Sequence, residues 1–193
     1  MSLELSEQEI VRRESLNKLR EAGIDPYPAA LFPVDTLSQE IKDNYEEGKR
    51  VIIAGRLMSK NIMGKASFSS IQDSTGRIQA YFNRDILCPE EDKAMYNNVY
   101  KKLLDIGDFI GIEGTLFTTQ VGEKSINVEK MTMLSKSLKP LPMPKTDSEG
   151  KVHDAFTNPE LRYRQRYVDL VVNPQVKEVF VKRTKMFNAM RNF

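Results

Sequence analysis

Hydrophobic and polar positions change period along this chain, and each change predicts a different element. From Ser6 to Ala22 the apolar residues are few and helically spaced: Ile10, Val11, Leu16 and Leu19. Ser6-Glu7-Gln8-Glu9 is a capping box, in which Ser6 accepts from the Glu9 amide and the Glu9 side chain reaches back. Gly23 suits the left-handed residue after a helix, and Pro26 blocks its continuation. So small an apolar face predicts a helix lying on a larger body. Arg12, Arg13, Lys18 and Arg20 interleave with Glu9, Glu14 and Glu21, which favours intrahelical pairing over contact with a nucleic acid. A short second helix is expected after Thr36, with Thr36 and Gln39 as its capping pair.

From Arg50 the period becomes that of strands. Arg50–Ser59, Ala66–Gln72, Arg77–Asn83, Phe109–Thr119 and Lys124–Leu134 read as β, punctuated by Gly64, Gly76, Gly107 and Gly122. In the third run Ile78, Ala80 and Phe82 share one face, and Arg77, Gln79 and Tyr81 the other. Between the third and fourth runs, Pro89–Leu104 has acids at its start and Lys101 and Lys102 at its end, an order that suits a helix dipole. Three strands, a helix and two strands is the order of a five-stranded OB barrel. Lys139-Pro140-Leu141-Pro142-Met143-Pro144-Lys145 is a stiff linker by composition. Beyond it Asn158-Pro159-Glu160 reads as N-cap, N1 proline and first-turn acid, and Asn173-Pro174 repeats the device. The helix after Pro174 carries Val176, Val179, Phe180, Phe187 and Met190 at helical spacing, with nothing in the chain large enough to cover them. The expectation is a mainly β protein with flanking helices. It divides into a helical segment (1–49), an OB domain (50–135), a linker (136–157) and the start of a further domain (158–193).

Composition narrows the class. With 193 residues and 40% hydrophobic content, a real core is affordable. No run approaches the ~18 apolar residues of a membrane span, and the charged first 25 residues do not form a secretory h-region. The single cysteine, Cys88, and the single histidine, His153, exclude an internal disulfide and a zinc site, so a reducing cytosol is the default. Both are read as having no chemical role. Net charge is only +2 but uneven: residues 1–49 carry 6 Lys/Arg against 11 Asp/Glu, and residues 135–193 carry 12 against 6. A basic tail suits a polyanion, or simply a solvated helix face.

The candidate chemistry lies between Arg56 and Phe82. Basic groups, an aromatic and a side-chain amide sit on short strands joined by glycine turns, as a platform for unpaired bases requires. Each residue also has a plainer reading. Phe68 on a strand is more often core, Gln79 could be a solvated face, and Glu123 could be an ordinary hairpin tip.

The segments Ala54-Gly55-Arg56, Ile62-Met63-Gly64-Lys65-Ala66-Ser67-Phe68, Gln72-Asp73, Gly76-Arg77-Ile78-Gln79, Asp105-Ile106-Gly107-Asp108, Lys139-Pro140-Leu141-Pro142 and Arg162-Tyr163-Arg164-Gln165-Arg166-Tyr167-Val168-Asp169-Leu170 occur in order. Together they resemble the N-terminal part of class II lysyl-tRNA synthetases of bacterial type, over essentially the whole chain. The aspartyl and asparaginyl enzymes share the barrel and are the nearest alternative. The resemblance implies that the barrel binds the anticodon of tRNA-Lys. Phe68 would stack on the middle base, a uracil, and Gln79 would read its Watson–Crick edge. Glu123 would accept from a base N–H, and Arg56 and Arg77 would face phosphate or base. Asn61 stands where the family carries a second arginine, with Lys60 as its candidate substitute. The resemblance further implies that the whole ligase uses ATP and Mg²⁺, while this chain needs no cofactor. It places the catalytic motifs beyond residue 193, leaves no catalytic residue here, and puts the helix after Asn173 at a homodimer interface. Two other classes remain open. One is a sequence-tolerant single-strand-binding module. The other is an oligomerisation domain acting through the Val179/Phe180/Phe187 face.

Overall fold

The computed structural model describes residues 5–142, 144–146, 152–153 and 156–193. It divides into two compact units, residues 1–140 and 141–193.

The first unit opens with helix α1 (Glu7–Glu21), started by the Ser6/Glu9 capping box and ended at Ala22, before Gly23 at φ 75°. Its buried side includes Leu16 and Leu19, and also Arg12. The Arg12 guanidinium donates to the carbonyls of Ser137 and Ile106, both at 2.9 Å. The expected intrahelical pairing therefore does not hold for Arg12, which ties α1 to the barrel. The following segment also packs there: the Phe32 ring lies so close to Gly111 that a Cβ at that glycine would come within 2.4 Å of it. Helix α2 (Ser38–Asp43) corrects the expected cap. Its N-cap is Leu37, which has no polar side chain. The capping acceptor is Asp73, from a distant turn, which takes the Ser38 amide at 2.5 Å.

Five strands then close a barrel: β1 (Arg50–Met63), β2 (Ala66–Gln72), β3 (Arg77–Asn83), β4 (Phe109–Thr118) and β5 (Lys124–Ser135). The order around it is β1-β2-β3-β5-β4, with β3 and β5 parallel and the other neighbours antiparallel. This is the expected OB topology. The β1–β2 hairpin turns at Gly64, whose φ of 68° is a left-handed conformation that glycine adopts without strain. Ile53, Leu57, Ile71, Ile78, Phe82, Ile110, Ile112 and Ile126 fill the interior.

β1 runs longer than expected and contains a bulge between Leu57 and Ser59. Leu57 and Met58 are both buried in consequence. An extra residue in one strand exchanges the faces of everything after it. Asn61 thus stands opposite Phe68, and Lys60 points the other way.

The region expected as one helix, Pro89–Leu104, is irregular at its start and helical only in its second half, and an unexpected short helix precedes it. A short helix α3 (Arg84–Leu87) is capped by Asn83, and a π-helix runs from Met95 to Leu103. The wider π winding brings residues four apart nearly into line, and Tyr96 and Tyr100 both enter the barrel fully buried. Tyr100 stacks on Phe82 with centroids 4.3 Å apart. Lys60 closes the end of this helix, its ammonium donating to the carbonyls of Tyr100, Lys101 and Leu104 at 3.2, 3.3 and 2.5 Å. A cation there satisfies carbonyls that have no intrahelical partner.

Beside it lies a closed ionic cluster. The fully buried Lys136 ammonium donates to Asp105 at 2.5 Å, Asp108 at 2.8 Å and the Leu103 carbonyl at 2.8 Å. The other Asp108 oxygen accepts from the Ser137 amide at 2.7 Å.

The second unit holds a two-residue strand pair, β6 (Lys145–Thr146) with β7 (Val152–His153), and three helices: α4 (Pro159–Arg164), α5 (Arg166–Val172) and α6 (Pro174–Asn192). Asn158 caps α4 as expected, accepting from the Leu161 amide. Asn173 does not cap α6 through its side chain, because its amide donates instead to Asp169 at 2.7 Å. Asp169, fully buried, also accepts from Arg162 at 3.0 Å and from Arg166. No residue of α6 is buried, and Val179, Phe180, Phe187 and Met190 are exposed.

Candidate nucleic-acid interface

Strand β2 inverts the usual use of a half-buried strand. Its core-facing residues are Ser67, Ser69 and Ile71, while Ala66, Phe68, Ser70 and Gln72 face outward. The two serines are buried because they answer the two tyrosines that plug the barrel. Ser67 Oγ lies 2.7 Å from the Tyr96 hydroxyl, and Ser69 Oγ 2.8 Å from that of Tyr100. Burial pushes the Tyr100 phenol up to about 12, so it stays protonated in this contact. An apolar ring on the outside and hydroxyls on the inside is the reverse of what burial of apolar surface favours. Phe68 is therefore not a core residue.

The outer face of β2 and β3 forms the floor of a cavity of about 340 Å³. It is lined among others by Asn61, Phe68, Arg77, Gln79, Glu123 and Lys42. Phe68 is half-buried on that floor, with the Tyr81 ring 5.0 Å away, and Tyr81 in turn contacts Phe117 at 5.8 Å. Neighbouring rings on β3 and β4 thus fix the orientation of Phe68. Gln79 accepts from the Ser125 hydroxyl at 2.8 Å through Oε1, which orients the amide and leaves its Nε2 as a donor. Arg77 donates through Nε to Gln72 at 2.7 Å. Glu123 is fixed in the β4–β5 hairpin, its amide donating to Thr119 Oγ1 at 3.0 Å, and its carboxylate has no partner among the described residues.

The fold therefore brings Asn61, Phe68, Arg77, Gln79 and Glu123 around one cavity. Arg56 lies outside it. Its guanidinium donates to the Gly107 carbonyl at 2.8 Å and lies over the Phe109 ring at 4.2 Å, and burial lowers its pKa, with Asp108 opposing that shift. Lys60 does not replace the arginine missing at Asn61, since the bulge turns it toward the π-helix. Reading the sequence alone missed Lys42, Phe117 and the part played by Tyr81. The alternation of β3 placed Tyr81 on the outer face, but only the closure of β4 and β5 onto β3 brings Phe117 to it.

An aromatic ring with amide and charged groups on the open face of an OB barrel is the kind of platform that suits unpaired bases. Residues 51–134 match the family model of an OB-fold nucleic acid binding domain. Over 98% of its length the chain is 67% identical to a lysine–tRNA ligase of Christiangramia forsetii, covering 33% of that protein. It is 58% identical over 99% of its length to a lysine–tRNA ligase of Porphyromonas gingivalis strain W83, covering 34%. A lysine–tRNA ligase of Syntrophomonas wolfei is 49% identical over 99% of the chain, which covers 36% of it. The resemblance carried by the motifs thus extends along nearly the whole chain, which spans about a third of the length of these relatives.

Proposed function

We propose that this barrel binds the anticodon loop of tRNA-Lys within a lysine–tRNA ligase. Phe68 is the stacking platform for the middle uracil, and the Gln79 amide donates to that base's edge. The observation that carries the reading is the inverted burial of β2: buried serines are matched to buried tyrosines, and the phenylalanine is turned outward beside Gln79. Stacking suits an unpaired loop because every base offers a π-face, worth roughly 1–3 kcal/mol. Asn61, Arg77 and Glu123 complete the groove.

The activity of the whole ligase belongs to this proposal as well. ATP and Mg²⁺ would serve to activate lysine. The described residues contain no group of three or more His, Cys, Asp and Glu able to hold a metal ion. Lysine activation is assigned to the rest of the ligase. The exposed face of α6 fits a homodimer contact there, and a cytoplasmic setting fits the partner. No helix of the described residues is long and apolar enough to cross a membrane.

The test is a binding series with the tRNA-Lys anticodon stem-loop and its three middle-base variants. The uracil loop should bind tightest. Phe68→Ala should weaken binding by about 1–3 kcal/mol, and Gln79→Ala should reduce discrimination at the middle base more than affinity. Equal binding of all four loops would leave a sequence-tolerant binder and overturn the reading. Lysine-dependent pyrophosphate exchange should be absent from this chain alone.

A further inference from the structure

We infer that α2 forms the outer wall of the base-binding groove, and that Lys42 on it contacts a phosphate of the strand held there. The inference rests on the anticodon reading above and adds to it an element outside the matched residues 51–134.

A helix of six residues has no stability of its own, so its position is set by what holds it. Both ends are held by turns of the barrel. At its start, Asp73 in the β2–β3 turn accepts from the Ser38 amide at 2.5 Å and from the Ser38 hydroxyl at 2.8 Å. Thr75 Oγ1 in the same turn accepts from the Gln39 amide at 3.2 Å. At its end, the Lys124 ammonium on β5 donates to the Lys42 carbonyl at 2.6 Å. That ammonium also lies 5.1 Å from the centroid of the Tyr45 ring, whose hydroxyl is 2.8 Å from Thr118 Oγ1 at the end of β4. The helix is thus strung between the two turns that flank the groove.

The two lysines at this place differ in what their ammonium groups do. That of Lys124 is engaged in holding the helix. The Lys42 side chain lines the cavity with Phe68, Arg77, Gln79 and Glu123, and its ammonium has no hydrogen bond or ion pair among the described residues. Glu123, the carboxylate in the same cavity, does not pair with it.

The groups suited to reading a base edge, Gln79 and Glu123, stand on the barrel strands or their hairpin. Lys42 arrives from an element off the barrel, on a flexible stem with three rotatable donors. Such a point charge sets no angular preference among bases, but it neutralises a phosphate well. Phosphate contacts position a strand and base contacts specify it, so Lys42 should add affinity without discrimination.

The experiment measures anticodon stem-loop binding across a salt series for the wild-type chain, Lys42→Met, Lys42→Arg and Phe68→Ala. Lys42→Met keeps the apolar stem and the backbone carbonyl that Lys124 uses, and its melting temperature should match the wild type. Loss of one single-strand phosphate contact should make the slope of log K against log salt shallower by about 0.7. The loss should be equal for all middle-base variants, and Lys42→Arg should restore the slope. An unchanged slope, or a loss confined to one middle base, would overturn the inference. If Phe68→Ala weakens binding as expected while Lys42→Met leaves the slope unchanged, only the phosphate contact fails. If the wild type does not bind the stem-loop, both readings fail.

Discussion

Two groups of charged side chains lie on the same barrel, and they differ in completeness. Around Lys136 each strong polar group has its partner: the ammonium meets two carboxylates and a carbonyl, and Asp108 accepts from a backbone amide as well. Around the β2–β3 groove, the Lys42 ammonium and the Glu123 carboxylate meet no partner among the described residues, and Gln79 keeps a donor free. Residue type does not separate the two groups, since both mix cations with carboxylates. Hydrogen-bond completion and burial do. The closed group is a fastener between the end of the π-helix, the start of β4 and the end of β5. The open one keeps its polar groups available on the outer face of the barrel.

The largest expected effect tests the closed group. Asp108→Ala removes one of the two carboxylates on a buried ammonium and should cost about 3–5 kcal/mol of stability, read as a shift in denaturant midpoint. A change below about 1 kcal/mol would mean that Asp105 alone suffices and the cluster is not the fastener described. Next comes a contrast within one strand. Ser69→Ala leaves the Tyr100 hydroxyl buried without its partner and should cost about 1–3 kcal/mol of stability while sparing stem-loop affinity. Phe68→Ala, one residue away, should do the reverse. Should Phe68→Ala prove the more destabilising of the two, the ring serves the barrel and not a base.

The smallest effect concerns the cap of α2. Partial burial raises the Asp73 carboxyl, but hydrogen bonds from the Ser38, Thr75 and Gly76 amides and the Ser38 hydroxyl outweigh it and hold the group below its ordinary 3.8. The unfolded chain therefore binds the proton more tightly. The stabilisation is complete above the ordinary value and is lost as pH falls through the folded one. Asp73→Asn should cost about 0.5–2 kcal/mol at neutral pH, as loss of a helix cap does, and should flatten the acid limb of the stability curve. An acid limb identical to that of the wild type would remove Asp73 from the cap.

Much of this was legible along the chain because strands and caps are written locally. Ala66–Gln72 and Arg77–Asn83 have the limits expected from alternation and glycine turns, and the Ser6/Glu9 box starts α1 as read. Failures occurred where a distant partner or one extra residue intervened. Thr36 looked like a cap, but the capping acceptor for α2 is Asp73, thirty-five residues from Ser38. Lys60 shares the parity of Arg56 and looked like a substitute for the missing arginine, until the bulge after Leu57 reversed the faces. Arg12 looked like a surface residue of a mixed-charge helix, and proved to be a buried donor to two loop carbonyls.

By itself, then, the sequence determined the order of elements, the five-stranded barrel they close and the residue types that suit an unpaired base. Periodicity, caps and glycine turns act over a few neighbours and survive without knowledge of the fold. Only the tertiary structure decided which face each residue occupies and which polar groups remain open. Those depend on register, on one bulge, and on partners that barrel closure brings from far along the chain: Tyr96 and Tyr100 to the serines of β2, Ser125 to Gln79, and α2 with Lys42 to the rim of the groove.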